Sequence, residues 1–247
     1  MKSVFKISSI LILSLCMLFN VEVFGQKTPP PLRVILFTGG HSFDRPAFDV
    51  FKNSLPGITV TEVTHPNALV MFRPENRSLY DVILLYDMPA AINEQEKKDF
   101  IDCLKAGKGL VVWHHAFGGY KDWPEYQNIM GGRYQFGTWT DSQGVKQPAS
   151  VYLHDVKFRV KVADKKHPVT KGINDFDVLD ETYGVCAINP GVHVLLTTDE
   201  KTSVPSVAWT NRYGKSKVVT ILLGHDDHSW SNPEAKKLLI QAIHWVK

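Results

Sequence analysis

The chain has 247 residues, enough for one large α/β domain with a real core or for two small ones. Its 28 Lys and Arg stand against 25 Asp and Glu, a net charge of +3. Lys2 and Lys6 against Glu22 place +1 of that within the first 25 residues, so the remainder carries only +2. Such a weak surplus excludes a chain built to bind nucleic acid or an anionic membrane surface through net charge.

Residues 1–25, "MKSVFKISSILILSLCMLFNVEVFG", have a basic start, an apolar centre from Ile7 to Phe19 and a small or polar end. That pattern is a secretory signal, with cleavage expected before Gln26 and export to the periplasm or beyond. The alternative is a lipoprotein signal with Cys16 as the lipidated residue; the bulky Leu15 before it favours simple cleavage. The apolar run is shorter than a membrane span, and no later segment reads as one. Cleavage leaves Cys103 and Cys186. Cys103 sits in a helical pattern beside Phe100 and Leu104, which predicts burial rather than a disulfide.

"QKTPPPL" (26–32) is an extended, proline-rich lead-in, and a single domain is expected over 33–247. "RVILFT" (33–38) predicts a buried parallel strand and "RPAFDVFKNSL" (45–55) a helix with Pro46 in its first turn. "ITVTEV" (58–63) and "DVILLYD" (81–87) are strands. "NEQEKKDFIDCLKAG" (93–107) is a helix in which Asn93 and Glu96 form a capping box and Gly107 ends the run. "GLVVW" (109–113) is the next strand. This alternation implies a parallel sheet covered on both faces. Further on, "VYLHDVKFRVKVAD" (151–164) alternates like an antiparallel strand. "HVLLTT" (193–198), "SVAWTN" and "KVVTILL" add strands, the last two as a hairpin. "NPEAKKLLIQAIHWV" (232–246) closes the chain as an amphipathic helix capped by Asn232. The expected fold is therefore α/β: three layers around a mostly parallel sheet, with an antiparallel extension.

Open parallel sheets bind ligands beyond the carboxyl ends of their strands. Here four apolar runs end in polar clusters: "GGHSFD", "DMP", "HHAFGG" and "GHDDHSW". His41, Asp87, His114, His115, His225, Asp226 and His228 should then share one rim, where imidazoles can act as base, metal ligand or hydrogen-bond donor. Side chains alternate along a strand, so one of His114 and His115 is expected to face that rim. Asp87 reads as a turn residue before Pro89. His65, His154, His193 and His244 read as structural or surface residues. "FDVLDETYG" (176–184) places Asp180 and Glu181 in what reads as a loop; they suit a metal or a proton-transfer role, or simple solvation. Trp123, Tyr126, Tyr134, Trp139 and Trp230 lie near these loops and suit sugar faces as well as core.

Taken in order, "VILFTGGHSF", "GLVVWHHAFG", "WPEYQNIMGGRY", "HPVTKGINDFDVLDETYG", "VHVLLTT", "VAWTNRYGKSKVVTILLGHD" and "NPEAKKLLIQAIHW" resemble the ThuA-like (trehalose-utilisation) family from about Arg33 to the C-terminus. The resemblance implies a fold like the class I glutamine amidotransferases, with a flavodoxin-like core. It implies site roles for His41, His115, Glu181 and His225, supported by His114, Asp180, Tyr183 and Asp226. True amidotransferases carry a cysteine nucleophile in the turn after the strand that here reads "WHHAFGG", which holds neither cysteine nor serine, so thiol chemistry is not expected there. The family also implies work on disaccharides or glycosides beside dehydrogenases that oxidise a sugar hydroxyl to a 3-keto group. The expectation is an exported enzyme acting on a 3-keto-glycoside, with His115 or Glu181 as base. Trp123 and Trp230 join His114, Asp180, Tyr183 and Asp226 in substrate binding. His41 and His225 serve as ligands to one divalent metal such as zinc, or as oxyanion donors, and no nucleotide cofactor is expected. The rival expectations are a non-catalytic carbohydrate-binding domain and an amide hydrolase suggested by fold alone.

Overall fold

The structure is a computed structural model that describes residues 29–89 and 91–247. The signal read over 1–25 lies outside the described residues. The account below concerns the unit Pro31–Lys247.

The first half alternates strand and helix: β1 (Leu32–Thr38), α1 (Arg45–Asn53), β2 (Ile58–Thr64), β3 (Val82–Leu85), α2 (Glu94–Lys105) and β4 (Gly109–Trp113). There follow α3 (Pro124–Met130) and three two-residue strands, β5 (Gly132–Arg133), β6 (Trp139–Thr140) and β7 (Lys146–Gln147). The second half is β8 (Val151–Val162), β9 (Phe176–Gly184), β10 (Ala187–Ile188), β11 (His193–Thr198), β12 (Ser206–Tyr213) and β13 (Ser216–Ile221). Two helices, α4 (Asp227–Trp230) and α5 (Pro233–Val246), end the chain. Asn93 and Glu96 form the expected capping box on α2, and Asn232 caps α5 with Pro233 behind it.

One nine-stranded sheet runs β2-β1-β3-β4-β13-β12-β11-β8-β9. The first five strands pair in parallel and the remaining four join antiparallel. The buried apolar strands make sense because both faces are covered. Val34, Leu36, Val82, Leu84 and Val111 point to one face, where α1 and α5 pack. Ile35, Phe37, Ile83, Leu85, Leu110 and Val112 point to the other, under α2 and α3. The α/β expectation, with its antiparallel extension, is met. Among the described residues no helix is long and apolar enough to cross a membrane.

One feature of register positions the site. β11 ends at Thr198, opposite Val160 of β8, yet β8 and β9 go on pairing from Val160–Phe176 to Val151–Gly184. The two strands therefore rise as an arm past the carboxyl ends of the parallel strands. The pairing slips between Leu153 and Val156, and Asp155 takes a left-handed backbone (φ 58°) at that bulge. Asp180 and Glu181, read from sequence as loop residues, stand in β9 on this arm.

Candidate active site at the carboxyl rim of the sheet

The loop after β1 carries His41. Gly40 (φ 81°) lets it press against the segment after β3, since a Cβ there would lie 2.3 Å from the Met88 carbonyl oxygen. β4 ends at Trp113, and the chain turns into a short 3-10 segment, His114–Gly118, with His114 in the left-handed region (φ 52°). The strand does not persist, so the alternation that would have turned one histidine away does not apply, and both rings reach the rim. After β13, Gly224 (φ 130°) packs its backbone against Trp113, whose indole would lie 2.2 Å from any Cβ, and delivers His225 to the same place.

Asp180 holds this last loop. Its carboxylate accepts the N–H of Gly224 (2.8 Å), of His225 (3.0 Å) and of Glu181 (2.8 Å). It is 2% exposed and forms no part of the cavity wall. It fixes the backbone of Gly224, His225 and Glu181.

His114 is fully buried. Its Nδ1–H donates to the Leu222 carbonyl (2.7 Å), which directs Nε2 to a cluster: Tyr183 Oη at 3.1 Å, His225 Nδ1 at 3.2 Å and Glu181 Oε2 at 3.2 Å. Burial disfavours a charge on His114, but Glu181 and Asp180 outweigh it and hold its pKa above the ordinary histidine value. Burial likewise works against an ionised Glu181, and the contact with His114 outweighs it, leaving the carboxyl below its usual range. His115 is different. Its ring stacks against His41 (centroids 4.3 Å) and lies 4.2 Å from Tyr86, it is 3% exposed, and neither ring nitrogen has a partner. Burial, then the neighbouring His114 and His41, push its pKa well below the usual value, so it is neutral.

These groups open on a cavity of roughly 280 Å³ walled by His41, His115, His154 and Glu181 on its polar side and by Met88, Tyr134, Phe136, Tyr152 and Tyr183. Its size and mixed lining suit a small-molecule ligand. His41, His115, Glu181 and Tyr183 stand where the sequence places them, and His225 touches the same cluster. Asp226 instead caps α4, accepting the His228 N–H (3.0 Å). Trp123 packs with Phe100 and Tyr126 (6% exposed). Trp230 packs with Phe43 and Phe48 (2% exposed) and donates its indole N–H to the Gly224 carbonyl (2.7 Å). Neither tryptophan lines the cavity, which corrects their assignment to a sugar face: both are too thoroughly enclosed by other rings. His154, read as a surface residue, lies at the cavity with Nδ1 3.4 Å from Glu181 Oε1 and its ring 4.6 Å from His225. Tyr152 and His154 are two apart on one strand, and that shared face was the available signal. Asp87 is no mere turn residue; it is buried and bonded to His65 (2.6 Å).

Three donor atoms, on His114, Glu181 and His225, lie within 4.8 Å of one another. His41 is outside that group. Cys103 and Cys186 are buried and free, and burial pushes the Cys186 thiol up to about 12, so neither offers a thiolate.

Over residues 33–246 the chain matches ThuA, the family described as trehalose utilisation. The chain belongs to the ThuA family. A ThuA-like protein of known structure from Parabacteroides merdae ATCC 43184 is 19% identical, with a TM-score of 0.73 covering 87% of this chain and 90% of that one. A second, from Bacteroides uniformis ATCC 8492, is also 19% identical, with a TM-score of 0.67 over 90% and 94%. PurLQS from Thermotoga maritima is 13% identical, with a TM-score of 0.55 over 88% and 100%. At such identities the likeness speaks to fold, and the fold of this ThuA chain is that of the class I glutamine amidotransferases. No curated protein matches the chain.

Proposed function

We propose that this ThuA protein is an exported carbohydrate-processing enzyme that cleaves a glycoside bearing a ketone at C3. The ketone acidifies the C2 proton. A base removes it, the C1 substituent leaves with a proton, and a C1–C2 double bond conjugated to the ketone remains. Water then adds its hydroxyl to C1 and C2 regains a proton, so the net reaction is hydrolysis.

His115 is the base in this scheme. The observation that carries the reading is its pair of unpartnered ring nitrogens, buried in the wall of an aromatic cavity. A buried polar atom without a partner is costly, and such atoms are kept where a ligand or a proton transfer uses them. Glu181 suits the task less, because its oxygens already face His114 and His154. In this scheme His41 in the cavity wall, with His225 beside it, would meet charge developing on the ketone oxygen. The family's description, trehalose utilisation, supports a disaccharide or glycoside as substrate class. The ketone itself requires an oxidising partner, a sugar dehydrogenase.

The deciding experiment is incubation with a 3-keto-glycoside in heavy water, followed by proton NMR. Loss of the C2 proton signal and release of the C1 substituent are expected. Tight binding with neither event would support the non-catalytic binding domain instead, and no binding would remove the substrate class. Export has its own measurement. Mass spectrometry of protein recovered from its host should show a chain beginning at Gln26, whereas lipid on Cys16 would establish the lipoprotein form. An intact Met1 in the cytoplasm would contradict both.

A further inference from the structure

We propose that His114, Glu181 and His225 form a site for one divalent transition metal, best matched by zinc, with its open coordination position facing the cavity. Three distances define the site. His114 Nε2 is 3.2 Å from His225 Nδ1 and 3.2 Å from Glu181 Oε2, and the latter two atoms are 3.6 Å apart. Ligand atoms about 2.0–2.1 Å from a tetrahedral zinc stand roughly 3.3–3.4 Å from one another. All three edges fall close to that value, so an ion fits at their centre with little movement.

The hydrogen-bond pattern converges on one point. His114 Nδ1–H is committed to the Leu222 carbonyl, so Nε2 presents either one lone pair or one proton to three neighbours. A proton there can be given well to only one of Glu181, His225 and Tyr183. A cation satisfies all three donors together. The surroundings have the form expected around a bound ion: a ligating imidazole fixed through its other nitrogen by a backbone carbonyl, and a carboxylate, Asp180, that anchors the backbone of the other two ligands. The donors come from three separate parts of the fold, the turn after β4, strand β9 and the loop after β13, and Asp180 ties the last two together. Two histidines and a carboxylate with an open position form a recurrent catalytic metal set.

This set replaces the His41 and His225 pair expected from sequence: His41 stacks on His115 and contributes to the cavity wall instead. An ion at the centre would lie beside the space where His115 works and would take up enolate charge on the substrate oxygen. That last role rests on the keto-glycoside reading; the site itself does not.

The test needs no substrate. Full-length mature protein is stripped with chelator, loaded with Zn²⁺ and followed by calorimetry, elemental analysis and thermal melting. One equivalent should bind and raise the melting temperature, and Co²⁺ in its place should give the visible spectrum of a tetrahedral site. The variant His228→Ala, in the exposed Asp226, Asp227 and His228 cluster, should bind as wild type does. His225→Ala and Glu181→Gln should weaken binding by more than the ~100-fold that loss of an outer-shell partner can cost. If Glu181→Gln fails to fold, the half-exposed His225 still decides the matter. Absence of stoichiometric metal in the wild type, undiminished affinity in a folded His225→Ala, or loss of binding in His228→Ala would each overturn the proposal. Metal uptake without turnover would retain the site and discard the substrate reading.

Discussion

Alanine at position 115 should slow release of the C1 substituent from a 3-keto-glycoside by about a hundredfold or more, the usual loss for a general base, while the protein melts near the wild-type temperature. The second half of this result is not obvious, because His115 is almost fully enclosed rather than lying loosely on the rim. Truncating a buried ring removes packing, which on its own costs roughly 2–5 kcal/mol. The same change removes two buried nitrogens that have no partner, each a penalty of about 1–3 kcal/mol. The two effects nearly cancel. Steady-state kinetics and a thermal melt on one preparation check both halves. Undiminished turnover in a folded His115→Ala would transfer the role of base to Glu181, and a large drop in melting temperature with activity retained would make the ring structural.

Asp180→Asn should do the reverse and damage the fold first. The Asp180 carboxylate collects three backbone N–H groups. An asparagine has one acceptor oxygen, and its NH₂ must face one of those donors. A buried acceptor lost in this way costs about 2–4 kcal/mol, which for a chain of this size lowers the melting temperature by roughly 5–15 °C. Because the same bonds set the backbone of Glu181 and His225, activity should fall even at temperatures where the variant is folded. Calorimetry with activity measured well below the transition separates the two effects. A wild-type melt and wild-type turnover would mean that the packing of Gly224 against Trp113 holds the loop alone.

Much of this arrangement can be read from the chain, and the reason is particular. Strands covered on both faces become unbroken apolar runs, so the residue that ends each run marks the carboxyl rim. "RVILFT", "GLVVW" and "KVVTILL" thereby reveal His41, His114, His115 and His225 before any coordinates exist. The capping box of α2 is equally local and equally readable. What escapes is whatever depends on long-range register. Asp180 and Glu181 are adjacent in sequence, yet one binds backbone and the other faces the cavity; only their place on the arm assigns those roles. His154 alternates like any exposed residue, and the bulge at Asp155 lies between it and regular pairing. Trp123 and Trp230 show the opposite ambiguity, since an aromatic ring near a polar loop has the same local pattern whether it faces a ligand or the core.

The left-handed backbone of His114 is a local strain carried at the centre of the buried cluster. A side chain costs about 1–2 kcal/mol in that conformation, and glycine adopts it freely. Glycine at this position would release that strain and lose the fully buried imidazole that ties Leu222, Tyr183, His225 and Glu181 together, a loss of roughly 2–5 kcal/mol that exceeds the gain. Engineered thermostable versions of the protein should gain their stability elsewhere.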